Sequence, residues 1–181
     1  MKVRKLCLAM LPVVMAGAMM GCSDTNKSPD VTDSIRKSLD QAGLKDVSVS
    51  QDRDKGVVTL SGTVPTESDK AQAESIAKAG AGSQVVADQV AVRPPGNESD
   101  AKTVDSDTDK AIEKNLDAAL VKNKLDKNVH YDVKNGVVTL KGDVASHAKR
   151  TQIEKVAAGV PDVKQVVNEL EVKNQKASAT S

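Results

Sequence analysis

Two cysteines, two histidines and a few recurring carboxylates are the groups in this chain with chemistry to offer. A thiol or hydroxyl nucleophile needs a base within hydrogen-bond reach. A zinc centre needs Cys, His or carboxylate ligands at short spacings. Cys7 and Cys22 fall at the N-terminal end, far in sequence from His130 and His147, and no paired-ligand spacing occurs. A disulfide framework, a zinc cluster and a thiol nucleophile are therefore not expected. Asp52 and Asp132 recur at one offset, as do Glu74 and Glu154. Paired carboxylates can share general acid and base work. Here the aspartates stand before turn sequences, where Asp favours the turn itself. The glutamates read as exposed helical ion-pair partners. The counterparts of His130 and His147 in the other half of the chain are Ser50 and Glu67, so neither histidine belongs to a recurring site. Gly56, Gly62, Gly136 and Gly142 read as turn residues, without the spacing of a phosphate-binding loop. The expectation is no catalytic residue, no metal, no cofactor and no small-molecule substrate.

Cys22 offers a different chemistry, covalent modification. Lys2, Arg4 and Lys5 precede an uncharged, mostly apolar run from Leu6 to Met20. This pattern is a basic n-region and an h-region, too short for a comfortable transmembrane helix. It ends Met19-Met20-Gly21-Cys22, and the small residue directly before the cysteine resembles the lipobox of bacterial lipoproteins. Met19 stands where that pattern usually has Leu. The resemblance implies that residues 1–21 are a signal peptide and that Cys22 becomes the lipid-modified first residue. Ser23 after it resembles the default for outer-membrane sorting. Several acyl chains on one residue would make the anchor stable. Residues 22–30 then read as a polar tether. Ala16-Gly17-Ala18 offers a competing cut by ordinary signal peptidase, which would release a soluble periplasmic protein. Removal of residues 1–21 takes away three positive charges and leaves 23 basic and 25 acidic side chains.

The remainder is an internal repeat. Gly56-Val-Val-Thr-Leu-Ser-Gly62 returns as Gly136-Val-Val-Thr-Leu-Lys-Gly142, an offset of 80. Over the 44 positions from Val49 to Val92 that offset gives 14 identities. Upstream an offset of 77 aligns Ile35 with Ile112, so the second copy is expected to carry three extra residues before its first strand. The copies span residues 31–93 and 107–173. Residues 94–106, rich in Pro, Ser and Asp, read as a linker, and residues 174–181 as a disordered tail.

Each copy predicts the same elements. Ile112, Leu116, Ala119 and Leu120 form one helical stripe, repeated more weakly by Ile35, Leu39 and Ala42. Alternating strands follow, Val47–Ser50 and Val129–Val133. Asp54-Lys-Gly56 and Lys134-Asn-Gly136 are hairpin turns, since Asn-Gly tolerates positive φ at both positions. The β-branched runs Val57–Leu60 and Val137–Leu140 predict a strand at the sheet centre or buried on both faces. Thr66 with Asp69 fits a capping box opening a second helix, and Pro161 ends its counterpart. Strand–helix–strand implies a right-handed crossover to a parallel partner, Val85–Val92 or Val166–Val172. The predicted class is α+β: two tandem αββαβ modules, each a three-stranded mixed sheet with two helices on one face.

That order, the Gly-Val-Val-Thr-Leu-x-Gly strand and the ending Gly159-Val-Pro-Asp-Val-Lys-Gln-Val-Val-Asn168 resemble the BON domain family. Ala79-Gly-Ala-Gly-Ser83 in the first copy departs from that ending. Two copies behind a lipobox resemble the dual-BON outer-membrane lipoproteins of Gram-negative bacteria. Without the lipobox they resemble the osmotically inducible periplasmic members. The resemblance implies a non-enzymatic protein that attaches to phospholipid membranes, supports outer-membrane integrity or stress tolerance, and meets envelope assembly proteins. With no Trp, no Phe and one Tyr, the chain has no aromatic platform for nucleic acid, and its near-neutral balance gives no electrostatic reason for one. Copy one carries 8 basic and 9 acidic side chains, copy two 12 and 11. The local contrast is larger. Copy two opens its second helix with Ser146-His-Ala-Lys-Arg, where copy one has Thr66-Glu-Ser-Asp-Lys. Lys141, Lys149, Arg150 and Lys155 are accordingly the expected contacts to anionic lipid.

Overall fold

The computed structural model describes residues 27–173. The segment expected to be a signal peptide (residues 1–21), Cys22 and the expected tail from residue 174 lie outside them. Module 1 consists of α1 (Thr32–Gln41), β1 (Val47–Asp52), β2 (Val57–Val64), α2 (Glu67–Ala81) and β3 (Val85–Val92). Module 2 consists of α3 (Glu98–Lys122), β4 (Val129–Lys134), β5 (Val137–Val144), α4 (His147–Ala158) and β6 (Gln165–Val172). Each sheet has its hairpin strands antiparallel and its third strand parallel to the central one, in the orders β1-β2-β3 and β4-β5-β6. This is the predicted topology.

Local chemistry sets the ends of these elements. The Asp69 backbone N–H donates to Thr66 Oγ1 at 3.1 Å, and the Lys149 N–H to Ser146 Oγ at 3.3 Å, so both crossover helices start on hydroxyl caps. Asn135 and Gly136 take φ of 52° and 81°, a primed hairpin turn. Gly62 and Gly142 are not turn residues. They sit inside β2 and β5 at φ near 120°, where a Cβ would stand 2.1 Å from the carbonyl oxygen of Asp46 or Asn128. Only glycine lets the neighbouring strand enter that closely.

One face of each sheet packs under its two helices. Ile35 and Leu39 of α1 meet Val58, Leu60 and Val90, with Ala73 and Ala77 of α2. In module 2, Ile112, Leu116 and Leu120 meet Leu140 and Leu170, with Ile153 of α4. The alanines let α2 sit close to α1. A Cβ on Gly80 would stand 2.6 Å from Ile35 Cγ1. The departure Ala79–Ser83 is thus a longer, tightly docked helix that ends at Gly82 with φ 63°.

Three expectations change. First, the repeat register is not 80 throughout. Val49 pairs with Leu60 and Tyr131 with Leu140, so the first strands correspond at an offset of 82. Leu44 N–H donates to Leu39 O and Leu125 N–H to Leu120 O, so the first helices correspond at 81, not 77. Module 1 instead has the longer hairpin loop, Arg53–Gly56 against Asn135-Gly136. Asp52 does serve its turn, accepting from the N–H groups of Asp54 and Lys55 at 3.0 Å each. Asp132 lies within β4, opposite Thr139. In module 2 the turn is held by Asp109 of α3, which accepts from Asn135 N at 2.8 Å and Gly136 N at 2.9 Å.

Second, residues 98–106, read as linker, are the first turns of α3. They lack an apolar stripe, and Val104 is 64% exposed. Long-range contacts hold them, the Arg93–Asp105 ion pair and the Asp109 turn contact. Third, part of the tether is fixed. Ser28 exchanges hydrogen bonds of 2.8 Å with Arg53, and Pro29 O accepts from Gln51 Nε2 at 2.7 Å.

Candidate functional site

The face of each sheet turned away from its helices is covered by the other module. Val57 and Ala87 pack on Val137 and Val167, equivalent positions at the offset of 80. The seam is therefore pseudo-symmetric. Gln165 bridges the strands across it, donating from Nε2 to Val86 O at 2.6 Å and accepting from Asp88 N at 3.2 Å. Asn135 Nδ2 donates to Gln89 O at 2.7 Å. Lys55 of the module 1 turn pairs with Glu171 of β6. The β-branched runs, read from the sequence as a strand at the sheet centre or buried on both faces, are central strands whose second face this seam covers.

Between each crossover helix and its third strand lies a repeated polar cluster. In module 1, Lys70 Nζ is 4.0 Å from Asp88 Oδ2 and donates to Val90 O at 2.7 Å. Asp88 Oδ1 accepts from Val90 N at 3.0 Å. Asp88 is only 8% exposed. Burial raises its pKa above the ordinary value, against the pull of the Val90 N–H and the Lys70 ammonium, while Glu74 adds to the rise. In module 2, Arg150, Glu154 and Asn168 occupy the same places. Arg150 Nη2 donates to Asn168 O at 3.0 Å, and Asn168 Nδ2 to Glu154 Oε2 at 2.9 Å. Each cluster satisfies its own polar groups and fastens helix to strand. His130 and His147 are both exposed, in β4 and in the first turn of α4. Among the described residues no His, Cys, Asp and Glu group has a metal-binding arrangement.

The four basic residues expected at a lipid surface do not converge. Lys141 belongs to the sheet face turned to module 1, with Nζ 3.9 Å from Glu169 Oε2. Arg150 is engaged with Asn168 beneath α4. Lys155 is exposed in the last turn of α4. Lys149 faces a hollow at the end of β5, and the structure brings Lys124, Lys127 and Lys173 to it. Sequence reasoning passed over these three. The cluster of Lys122 at the end of α3 with Lys124 and Lys127 after it was the available signal.

Among the described residues no helix is long and apolar enough to cross a membrane. Comparison with known proteins gives one curated relative of high significance, osmotically-inducible protein Y of Escherichia coli (strain K12). It is 32% identical over 146 residues, 79% of this chain and 71% of its own length. Two structures of CdsD, a structural protein of the type III secretion system of Chlamydia trachomatis, align at TM-score 0.32 with 16% and 17% identity. They cover 77% and 78% of this chain, which spans 66% and 61% of them. The BON domain matches residues 27–94 and 108–174, the two modules described above. With the repeated αββαβ topology and this match over most of its length, the chain belongs to the BON domain family.

Proposed function

We propose that this chain is a non-enzymatic binding protein of the bacterial envelope, acting in osmotic-stress tolerance and outer-membrane integrity, with module 2 turned to anionic phospholipid. The charge contrast within one repeated backbone carries this reading. In module 1, Lys70 and Arg93 are tied to carboxylates. Module 2 leaves Lys124, Lys127, Lys149 and Lys155 exposed, and among the described residues no carboxylate lies in ion-pair range of them. Because the two sheets cover each other, a partner meets helices, loops or strand edges. Each lysine near an anionic surface contributes about 1 kcal/mol, so this contact is weak alone. An acylated Cys22 would raise the local concentration of module 2 at the bilayer. Without Trp or Phe the contact is electrostatic adsorption, not aromatic insertion.

A second reading is a soluble periplasmic osmotic-stress protein that acts as an adaptor or chaperone. The likeness to osmotically-inducible protein Y over 79% of the chain favours it. Intact mass and membrane fractionation of the parent protein and Cys22→Ala separate the two. A triacylated mass with outer-membrane location, both lost in the variant, is the expected result. An unmodified chain beginning at Met19, recovered in the soluble periplasm, would establish the second reading instead.

A further inference from the structure

The hollow beside Lys149 lies where β5 ends, between the α3–β4 loop, the first turn of α4 and the residue after β6. Its volume is about 210 Å3. Lys124, Lys127, Lys149 and Lys173 surround it, and Asp143 is the one carboxylate in its lining. The lysines arrive from three separate segments of the chain, unlike the spaced charges of one solvated helix face. All four are exposed, and among the described residues none has a carboxylate within ion-pair distance. Like charges gathered around one concavity repel until an anion joins them. The floor is apolar, made by Leu125, Val144 and Ile153.

Module 1 lacks this arrangement. The helix-end hydrogen bonds match Lys124 to Gly43, and the strand pairing matches Lys127 to Lys45. At the offset of 80, Lys149 and Lys173 correspond to Asp69 and Arg93, and Arg93 is already paired with Asp105.

We propose that the hollow takes the phosphate of one anionic phospholipid headgroup, an assignment that rests on the membrane reading above. Its volume equals that of about seven waters, room for a headgroup and too little for acyl chains, which stay in the bilayer. A free phosphate shares the same chemistry, but placement favours the lipid. Asp143 lines both this hollow and the groove where Asp52 and Lys55 of module 1 face Lys141 and Glu171. The same module 1 turn holds the N-terminal segment, through the Ser28–Arg53 hydrogen bonds and the Lys27–Asp54 ion pair at 3.3 Å. The chain therefore enters the fold at the end of the molecule that bears the hollow. From Cys22 to Lys27 an extended chain reaches about 18 Å at most. An acylated Cys22 would hold this end against the bilayer.

The test uses the secreted chain carrying Cys22→Ser, so that no acyl anchor contributes. Sedimentation with vesicles of equimolar phosphatidylglycerol and phosphatidylcholine compares three proteins: the parent, Lys127→Glu/Lys173→Glu, and Lys37→Glu/Lys114→Glu, two exposed lysines outside the hollow that make the same charge change. The first pair is expected to lose tenfold or more of vesicle partitioning, roughly, and the distal pair under about threefold. Amide NMR shifts are then followed with dihexanoyl phosphatidylglycerol below its micelle concentration, and separately with inorganic phosphate. Saturable shifts around Lys124–Asn128 and Asp143–Lys149, at least about tenfold tighter for the lipid, are expected. Equal loss from both pairs would overturn the site and leave the membrane reading standing. A parent chain that ignores the vesicles would overturn the membrane reading, and the lipid titration would then decide the hollow by itself. Phosphate binding as tight as lipid would make it a free-anion site, and no shift with either probe would remove it.

Discussion

Modules 1 and 2 place the same backbone under different side chains, and the differences fall into two layers. In the core, module 1 has Ala73 where module 2 has Ile153, and α2 lies close enough that Gly80 touches Ile35. At the surface, Gly43, Lys45, Asp69 and Arg93 stand where module 2 gathers Lys124, Lys127, Lys149 and Lys173. The core differences compensate each other, since the smaller Ala73 goes with a close approach of α2 to Ile35 at Gly80. The surface differences do not compensate. At these positions module 1 has an acidic Asp69 and an Arg93 paired with Asp105, whereas module 2 has four lysines around a hollow. On the proposed reading, one copy serves as support and the other as the binding surface, and the two must be held as a unit.

The seam is what holds them, so breaking it gives the largest effect. Val137 is 2% exposed against Val57, Ala87 and Val167. Val137→Asp puts an unpaired carboxylate there and is expected to cost about 3 kcal/mol or more. In urea denaturation followed by one NMR reporter in each module, the shared transition should split, with module 1 losing stability although its own sequence is unchanged. Coincident, unshifted module 1 unfolding would mean that the modules are independent.

The core contrast predicts an asymmetric exchange of intermediate size. Ile153→Ala should destabilise by about 2–5 kcal/mol, because Ile153 is buried in the module 2 core and its removal leaves a cavity there. Ala73→Ile, the same exchange in the other direction, should also destabilise, by about 1–3 kcal/mol, because Ala73 is fully buried in the module 1 core and extra methylenes there overpack it. A stabilising Ala73→Ile would show that module 1 has unfilled space and that the compensation is not real.

The smallest effect comes from the polar clusters. Asp88 has its folded pKa raised by burial, so the folded state holds its proton more tightly than the unfolded state. Stability should fall as pH rises from the ordinary carboxylate value, 3.8, through the raised folded value, and the cost persists at neutral pH. Asn168 shows what the same position looks like uncharged. Asp88→Asn is expected to raise stability at neutral pH by up to about 1 kcal/mol and to flatten that slope. Asn168→Asp should introduce a slope in module 2. Chemical denaturation across acidic to neutral pH measures both, and an unchanged slope in Asp88→Asn would assign the pH dependence to other carboxylates.

The repeat, the six strands, the hairpin turns and the hydroxyl caps were all legible in the sequence, because each is written in neighbouring residues. Asn135-Gly136 needs no partner to prefer its turn, and Thr66 caps the helix that follows it. The identity of Asp52 and Asp132 misled the register, since a shared residue type at one offset does not tell a turn from a strand centre. Residues 98–106 hid their helix for a related reason: Asp105 and Asp109 stabilise it by reaching Arg93 and the β4–β5 turn, contacts with no local periodicity. The lysines of the hollow lie up to 49 positions apart, from Lys124 to Lys173. Two αββαβ modules, and a strand suited to the sheet centre or to burial on both faces, follow from alternation and β-branching, which are local. Burial of the second face by the sister module, and the meeting of these lysines, follow from packing between distant segments, which no local pattern encodes.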